Sequence, residues 1–285
     1  MDIQQLKRIG IIGAGTMGQG IAQVCAQAGY EVLLFDVKPE LTAKAVKIIE
    51  KSLTQLVEKS KLRAEDLTSI MKRIHAVSEL SAVQADLIIE AVVEKLSIKQ
   101  TLFQELERIN NPDCILATNT SSIPVTQIAS VLKNPERFAG LHFFNPAPVM
   151  KLVEVISGIS TSAATESTLI AFTDKLGKVP VAVKDSPGFI VNRVARHFYV
   201  EALKLAEENV ADFKTIDALM RASGFRMGPF ELMDLIGVDT NFSVTSSMYH
   251  AFHQEPRFRP SRLQQQKVDA GHLGRKSGKG FYDYK

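Results

Sequence analysis

Cysteine is scarce in this chain, with Cys25 and Cys114 the only two among 285 residues. Two thiols cannot build a disulfide framework, and each sits in an apolar run. Both are expected to be buried thiols in a reducing compartment. Long hydrophobic runs are missing as well. No apolar stretch approaches the ~20 residues that a bilayer crossing demands, which excludes a transmembrane helix. The N-terminus has neither an Arg- and Ser-rich transit segment nor a signal peptide, because glycine-rich turn chemistry interrupts its first apolar run. A cytoplasmic protein is the expectation. Blocks of like charge are absent: 34 Lys and Arg face 31 Asp and Glu, for a net charge of +3. That excludes a basic nucleic-acid tail, although a local basic face still suits a phosphate-bearing ligand. There is no internal repeat, no low-complexity segment, and no metal site is expected.

What is present is an ordinary globular composition, 45% hydrophobic and 23% charged, enough for one large or two smaller domains. The first part alternates strand and helix. Arg8 to Ile12 (RIGII) is a short apolar run ending in Gly13-Ala14-Gly15-Thr16-Met17-Gly18. A helical pattern follows, with Ile21, Val24, Cys25 and Ala28 on one face, and Glu31 to Phe35 (EVLLF) reads as the next strand, ending at Asp36. A GxGxxG string alone says little. Between a strand and a helix, with an acid closing the following strand, it reads as a dinucleotide fingerprint. Gly13 allows the tight turn, Gly15 lets backbone approach a pyrophosphate, and Gly18 lets the helix pack closely on the strand. The N–H groups of the helix start then hold the phosphates. Asp36 would accept hydrogen bonds from a ribose 2′-hydroxyl and repel a 2′-phosphate, favouring NAD over NADP. A flavin site or an empty Rossmann-like turn are the alternatives.

Helices are expected at about 39–60 and 64–72, with the basic junction Lys59-Ser60-Lys61-Leu62-Arg63 between them. On charge alone that junction reads as a solvated surface. Strands follow at about 74–77, 85–92 and 114–117, and a helix at about 97–109. Glu94 and the cluster Asn119 to Ser122 fall beyond the carboxyl ends of these strands, where open α/β sheets bind ligands. Ser122 reads as a helix N-cap, while Ser121 and Asn119 stay open.

Gly140 to Ile156 (GLHFFNPAPVMKLVEVI) sets His142 and Glu154 in two apolar runs joined by the turn Asn145-Pro146-Ala147-Pro148. If the runs are neighbouring strands, imidazole and carboxylate meet, a base with an orienting acid that moves a proton near neutral pH. A structural histidine is the alternative. A strand at 179–183 closes this part. From Ser186-Pro187-Gly188 onward helical periodicity takes over, beginning with a helix expected from Phe189 to about Glu207 that has Asn192 in its first turn. The fold class is therefore a Rossmann-type α/β domain, mostly parallel with helices on both faces, over 1–185, with the helical pair as an insertion at about 39–72. An all-α domain over 186–285 completes it. The last residues, Gly274 to Tyr282, are a Gly- and Lys-rich loop closing on aromatics that either wraps back or frays.

These motifs, in this order, resemble the L-3-hydroxyacyl-CoA dehydrogenase family, and most closely its short bacterial members that act on 3-hydroxybutyryl-CoA. The stretches that carry the resemblance are GAGTMG at 13–18, EAVVEKLSIK at 90–99, TNTSSI at 118–123, GLHFFNPAPVMKLVEVI at 140–156, DSPGFIVNR at 185–193, MGPFELMDLIG at 227–237 and GRKSGKGFYDY at 274–284. The resemblance implies NAD as cofactor, a coenzyme A thioester as substrate, and a homodimer formed through the helical domain. It implies His142 as catalytic base, Glu154 as its paired acid, and Ser121 and Asn192 lining the reacting centre. Gly13, Ala14, Gly15, Thr16, Met17, Gly18 and Asp36 correspond to cofactor contacts, and Glu94, Lys99, Asn119 and Lys276 to further positions at or near that site. Ser52 and Lys59 correspond to coenzyme A contacts, which turns the basic junction from surface toward ligand. Competing functions are a dehydrogenase of a free hydroxy acid or sugar acid of the gulonate type, and a catalytically silent NAD-binding structural protein. At this length a fused hydratase domain is not expected.

Overall fold

The structure, a computed structural model, describes residues 3–284; Met1, Asp2 and Lys285 lie outside the described residues. The chain divides at Ser186–Pro187 into two compact units. The first opens with β1 (Arg8–Ile12), α1 (Thr16–Gln27) and β2 (Glu31–Phe35), followed by the helix pair α2 (Pro39–Glu58) and α3 (Ala64–Lys72). Then come β3 (Ile74–Val77), β4 (Leu87–Glu90), α4 (Leu96–Ile109), β5 (Ile115–Thr118), the short α5 (Val125–Ala129) and β6 (Phe138–Phe143). β7 (Leu152–Ser157), α6 (Ala163–Lys175) and β8 (Val179–Lys184) complete the unit.

The eight strands form one sheet in the order β3-β2-β1-β4-β5-β6-β7-β8. Every neighbouring pair is parallel except β6 and β7, which run antiparallel. The difference follows from the connections. Helical crossovers return the chain to a parallel strand, whereas a short turn such as the one after β6 forces reversal. With both faces covered, the central strands are near-continuous apolar runs: β4, β5 and β6 are buried at every position. Ile9, Ile11, Val32, Leu34, Leu87 and Ile89 of the sheet join Ile21, Val24 and Cys25 of α1 in one core. β1 has β2 on one side and β4 on the other, so the chain reverses its winding at β1. The carboxyl ends of β1 and β4 therefore open a crevice suited to a ligand.

The second unit contains α7 (Val191–Glu207), α8 (Phe213–Ala222), α9 (Pro229–Ile236), α10 (Val238–Ala251) and α11 (Arg262–Asp269). Its core joins Tyr199, Leu203, Ile216, Phe230, Met233 and Phe281. The helix expected from Phe189 starts later, at Val191, because Phe189 adopts φ +50°, outside the helical region. The C-terminal segment wraps back. Asp234 of α9 accepts hydrogen bonds from the Phe281 N–H (2.9 Å), the Tyr282 N–H (3.0 Å) and the Tyr284 hydroxyl (2.9 Å). Asp217 of α8 accepts from the Tyr282 hydroxyl at 2.7 Å. Among the described residues, no helix is long and apolar enough to cross a membrane.

Candidate active site

At the end of β1 the chain turns at Gly13, whose φ of +102° would strain any side chain. A Cβ there would also sit 2.6 Å from the Ala91 carbonyl oxygen, so this turn presses against the residue that follows β4. Gly18 closes the turn from the other side. A Cβ on Gly18 would lie 1.7 Å from the Gly13 carbonyl oxygen, so only hydrogen fits. Gly15 is different: nothing lies within 4 Å of the place its Cβ would take. It is the N-cap of α1 and brings no side-chain acceptor to the helix start. First-turn N–H groups with an open approach and the positive end of the helix dipole suit a pyrophosphate, and the residues present fit a dinucleotide. Asp36, at the end of β2, accepts from the Ala14 N–H (2.8 Å) and the Lys38 N–H (3.0 Å). Those contacts hold its carboxylate against the edge of the glycine turn.

A buried polar cluster spans the ends of β4 and β5. Glu90, fully buried, accepts from the Val92 N–H (2.7 Å), the Lys99 ammonium (2.6 Å) and the Thr118 hydroxyl (2.7 Å). Lys99 is only 1% exposed and also reaches Glu94 at 3.2 Å. Glu94 in turn gathers the loop after β5, accepting from the Thr120 hydroxyl (2.6 Å), the Ser121 N–H (3.0 Å), and the Ser122 N–H (3.1 Å) and hydroxyl (3.0 Å). Burial alone would push the Glu94 carboxyl up, but Lys99 and these donors together hold it below the usual carboxylate range. The expectation that Ser122 caps a helix is corrected here. α5 begins only at Val125 with Pro124 at its N-cap, and Ser122 spends its hydroxyl on Glu94. Asn119 ties the same loop to the next strand, its side-chain oxygen accepting from the Phe143 N–H at 2.8 Å.

His142 stands beside Phe143 near the carboxyl end of β6, the same edge of the sheet as the glycine turn. The antiparallel register pairs it with Glu154 of β7. Opposite residues on paired strands share a face, so the short turn brings base and acid together. His142 Nδ1 donates to Glu154 Oε2 at 2.8 Å, with the two residues 5% and 1% exposed. With the carboxylate ionised, that contact puts the imidazole proton on Nδ1. The turn between the strands is anchored twice. A Cβ at Gly20 of α1 would be 3.1 Å from both Ala147 and Pro148, so the turn lies directly on the helix of the glycine fingerprint. Lys178, at the start of β8, donates to the Ala147 carbonyl (2.6 Å) and the Met150 carbonyl (2.8 Å). Burial shifts the Lys178 ammonium down.

The remaining expected site residues are distributed as follows. Ser52 and Lys59 lie on α2, with Lys59 at its C-cap. In the basic junction, Arg63 is taken up by Asp66 and Glu65, while neither Lys59 nor Lys61 has a carboxylate partner among the described residues. Asn192 lies in the first turn of α7 in the helical unit. In that unit Lys276 pairs with Asp239 at 2.6 Å. Sequence reasoning missed Glu90, Thr118 and Lys178. Glu90 carried a signal, a charge closing the apolar run LIIE, but Lys178 carried none.

Comparison with known proteins agrees with this geometry. The model of the 3-hydroxyacyl-CoA dehydrogenase NAD-binding domain matches residues 8–186, and that of the family's C-terminal domain matches residues 188–284. A 3-hydroxyadipyl-CoA dehydrogenase of Escherichia coli is 50% identical over 98% of the chain, which spans 59% of that relative's length. A probable 3-hydroxybutyryl-CoA dehydrogenase of Bacillus subtilis is 43% identical, with 98% of each chain covered. Among solved structures, an (S)-3-hydroxybutyryl-CoA dehydrogenase from Ralstonia eutropha superposes with a TM-score of 0.95 at 40% identity, covering 99% of this chain and 100% of its own. Glycine cradle, buried histidine–glutamate rung and matches to both domains lead to one assignment: the chain belongs to the NAD-dependent 3-hydroxyacyl-CoA dehydrogenase family.

Proposed function

We propose that this protein interconverts a (S)-3-hydroxyacyl-CoA and the corresponding 3-ketoacyl-CoA, with His142 as the residue that moves the proton. The observation that carries this reading is the buried His142–Glu154 contact of 2.8 Å on the ligand-binding edge of the sheet. When bound, NAD supplies or accepts the hydride at C3. In the oxidation, His142 Nε2 removes the 3-hydroxyl proton, and Glu154 stabilises the resulting imidazolium. In the reduction, the imidazolium returns that proton to the 3-oxygen. Ser121, whose N–H is held by Glu94, and Asn192 position the 3-oxygen or the thioester carbonyl, where polar contacts act most strongly on charge that develops in the transition state. Asp36 accepts from the ribose, and Glu94, Lys99 and Asn119 shape the cofactor edge rather than reach across it. Lys276 contributes from the helical unit. Lys59, which has no carboxylate partner among the described residues, meets coenzyme A together with Ser52.

Replacing His142 with Gln tests the assignment. Reduction of acetoacetyl-CoA, followed at 340 nm, should fall by ~10²–10⁴-fold while NADH affinity holds. Near-normal turnover refutes it. Activity toward a free hydroxy acid in place of the thioester would favour the gulonate-type alternative. We place the enzyme in the cytoplasm, where the buried free thiols of Cys25 and Cys114 remain reduced. We assign it a homodimer through the helical unit, whose exposed Val194, Leu219 and Phe225 suit a covered surface. A second reading of the substrate also has support: the 50% identical E. coli relative carries the name of a 3-hydroxyadipyl-CoA dehydrogenase, whose acyl group ends in a carboxylate.

A further inference from the structure

Arg196 of α7 is a buried cation without an anion. Its residue is 3% exposed, yet every partner it has is neutral. Nη1 donates to the Asn241 carbonyl at 2.9 Å and to the Thr245 hydroxyl at 2.8 Å. Nε reaches the Asn192 carbonyl at 3.4 Å, and the guanidinium lies over the Tyr199 ring at 4.9 Å. Among the described residues no carboxylate pairs with it. Burial pushes the guanidinium down to about 10, the direction expected of a charge lacking its counter-ion. A second donor nearby is also unsatisfied. The Asn241 side-chain oxygen accepts from Gln264 Nε2 at 2.9 Å, but its amide nitrogen is buried with no acceptor among the described residues. A guanidinium and an orphaned amide N–H on the facing helices α7 and α10 make a donor set for a carboxylate. As mere packing, the arrangement is unfavourable, because an apolar side chain of similar volume would avoid burying an uncompensated charge.

The spacing along α7 gives the size of the ligand. Asn192 and Arg196 stand four residues apart on one helical face, about 6 Å along the axis. With Asn192 at the 3-oxygen or thioester carbonyl, a carboxylate three carbon–carbon bonds beyond C3 falls within reach of the Arg196 side chain. We propose that Arg196, with the Asn241 amide, binds the terminal carboxylate of an ω-carboxylated 3-ketoacyl- or 3-hydroxyacyl-CoA, and so selects dicarboxylic over monocarboxylic acyl chains. This rests on the dehydrogenase reading and on the place it gives Asn192.

The test compares 3-oxoadipyl-CoA with 3-oxohexanoyl-CoA, which have the same chain length and differ only in a terminal carboxylate against a methyl group. Wild-type kcat/KM should favour the first. In Arg196→Met that preference should fall by ~100-fold, about 2.7 kcal/mol, as expected for truncating one partner of a buried charge pair. Turnover of 3-oxohexanoyl-CoA should stay near wild type, and Tm should hold or rise once the unpaired charge is gone. Asn241→Leu should lower the same preference to a smaller extent, and it serves as the second variant if Arg196→Met folds poorly. Equal losses on both thioesters, or a wild type blind to the carboxylate yet active on acetoacetyl-CoA, overturn the proposal alone. A wild type inert toward all three thioesters overturns the dehydrogenase reading beneath it.

Discussion

Replacing Glu154 with Gln separates the two things its carboxylate does for His142. The amide keeps nearly the same shape and still presents an oxygen to Nδ1, so the imidazole keeps its place in the rung. The charge is lost. With N and O 2.8 Å apart in a buried setting, the charge centres stand about 4 Å apart, and at an effective dielectric near 20 their attraction is about 4 kcal/mol. Losing most of it disfavours the imidazolium relative to the neutral ring. Reduction needs the imidazolium as acid, so its rate near pH 7 should fall by ~10²–10³-fold. The loss should shrink as pH falls, because acid supplies the proton that Glu154 no longer draws to the ring. Oxidation starts from the neutral ring and should lose less at high pH. The assay is acetoacetyl-CoA reduction and 3-hydroxybutyryl-CoA oxidation between pH 5 and 9, with NADH affinity measured alongside. A loss of the same size at every pH and in both directions would refute the electrostatic argument, leaving Glu154 with a geometric role only.

Three further outcomes are expected. Gly18→Ala should abolish NADH binding in a fluorescence titration, since its Cβ would lie 1.7 Å from the Gly13 carbonyl; near-normal affinity would mean the turn tolerates what the geometry forbids. Glu94 titrates below its ordinary value when folded, so its contribution is present above the unfolded carboxylate value of ~4.3 and is lost as pH falls through the lower folded value. An acid unfolding series should therefore show Glu94→Gln losing its stability difference from wild type in that window, and a difference that persists below it would contradict the sign. Asp234→Ala strands the buried Phe281 N–H and the Tyr282 N–H, at a cost of about 1–3 kcal/mol each, so the urea midpoint should drop and the C-terminal segment should become protease-sensitive. An unchanged midpoint would show that Asp234 does not hold the tail.

Much of this architecture was legible from local pattern. The strand–glycine–helix opening, the helix pair and the reversal around the proline turn are encoded in neighbouring residues, and so is the chance for His142 to meet Glu154. Errors arose where a distant group overrode a local preference. Ser122 has the chemistry of a cap, but Glu94, from the preceding strand-to-helix connection, claims its hydroxyl, and Pro124 takes the cap position instead. Phe189 continues an apolar helical pattern, but its backbone turns left-handed and delays the helix. Lys99 was expected at or near the cofactor site from the resemblance alone; its burial between two carboxylates is a contact that only the folded sheet creates. Lys178 was silent for the same reason: its two carbonyl partners belong to a turn far back in the chain.

The His142–Glu154 rung also determines which changes of length this enzyme can survive. Successive strand residues point to opposite faces, so deleting one residue within β6 or β7 would send imidazole or carboxylate through the sheet to the other side. Insertions at the exposed Val149 fall outside the ladder and keep the strand register, although they part the two carbonyls that Lys178 holds. Enzymes whose catalytic groups ride on loops lose chemistry when loops drift and keep it when strands are merely repacked. Here the strands carry the constraint: a change of length within β6 or β7 keeps imidazole and carboxylate on one face only if it adds or removes an even number of residues.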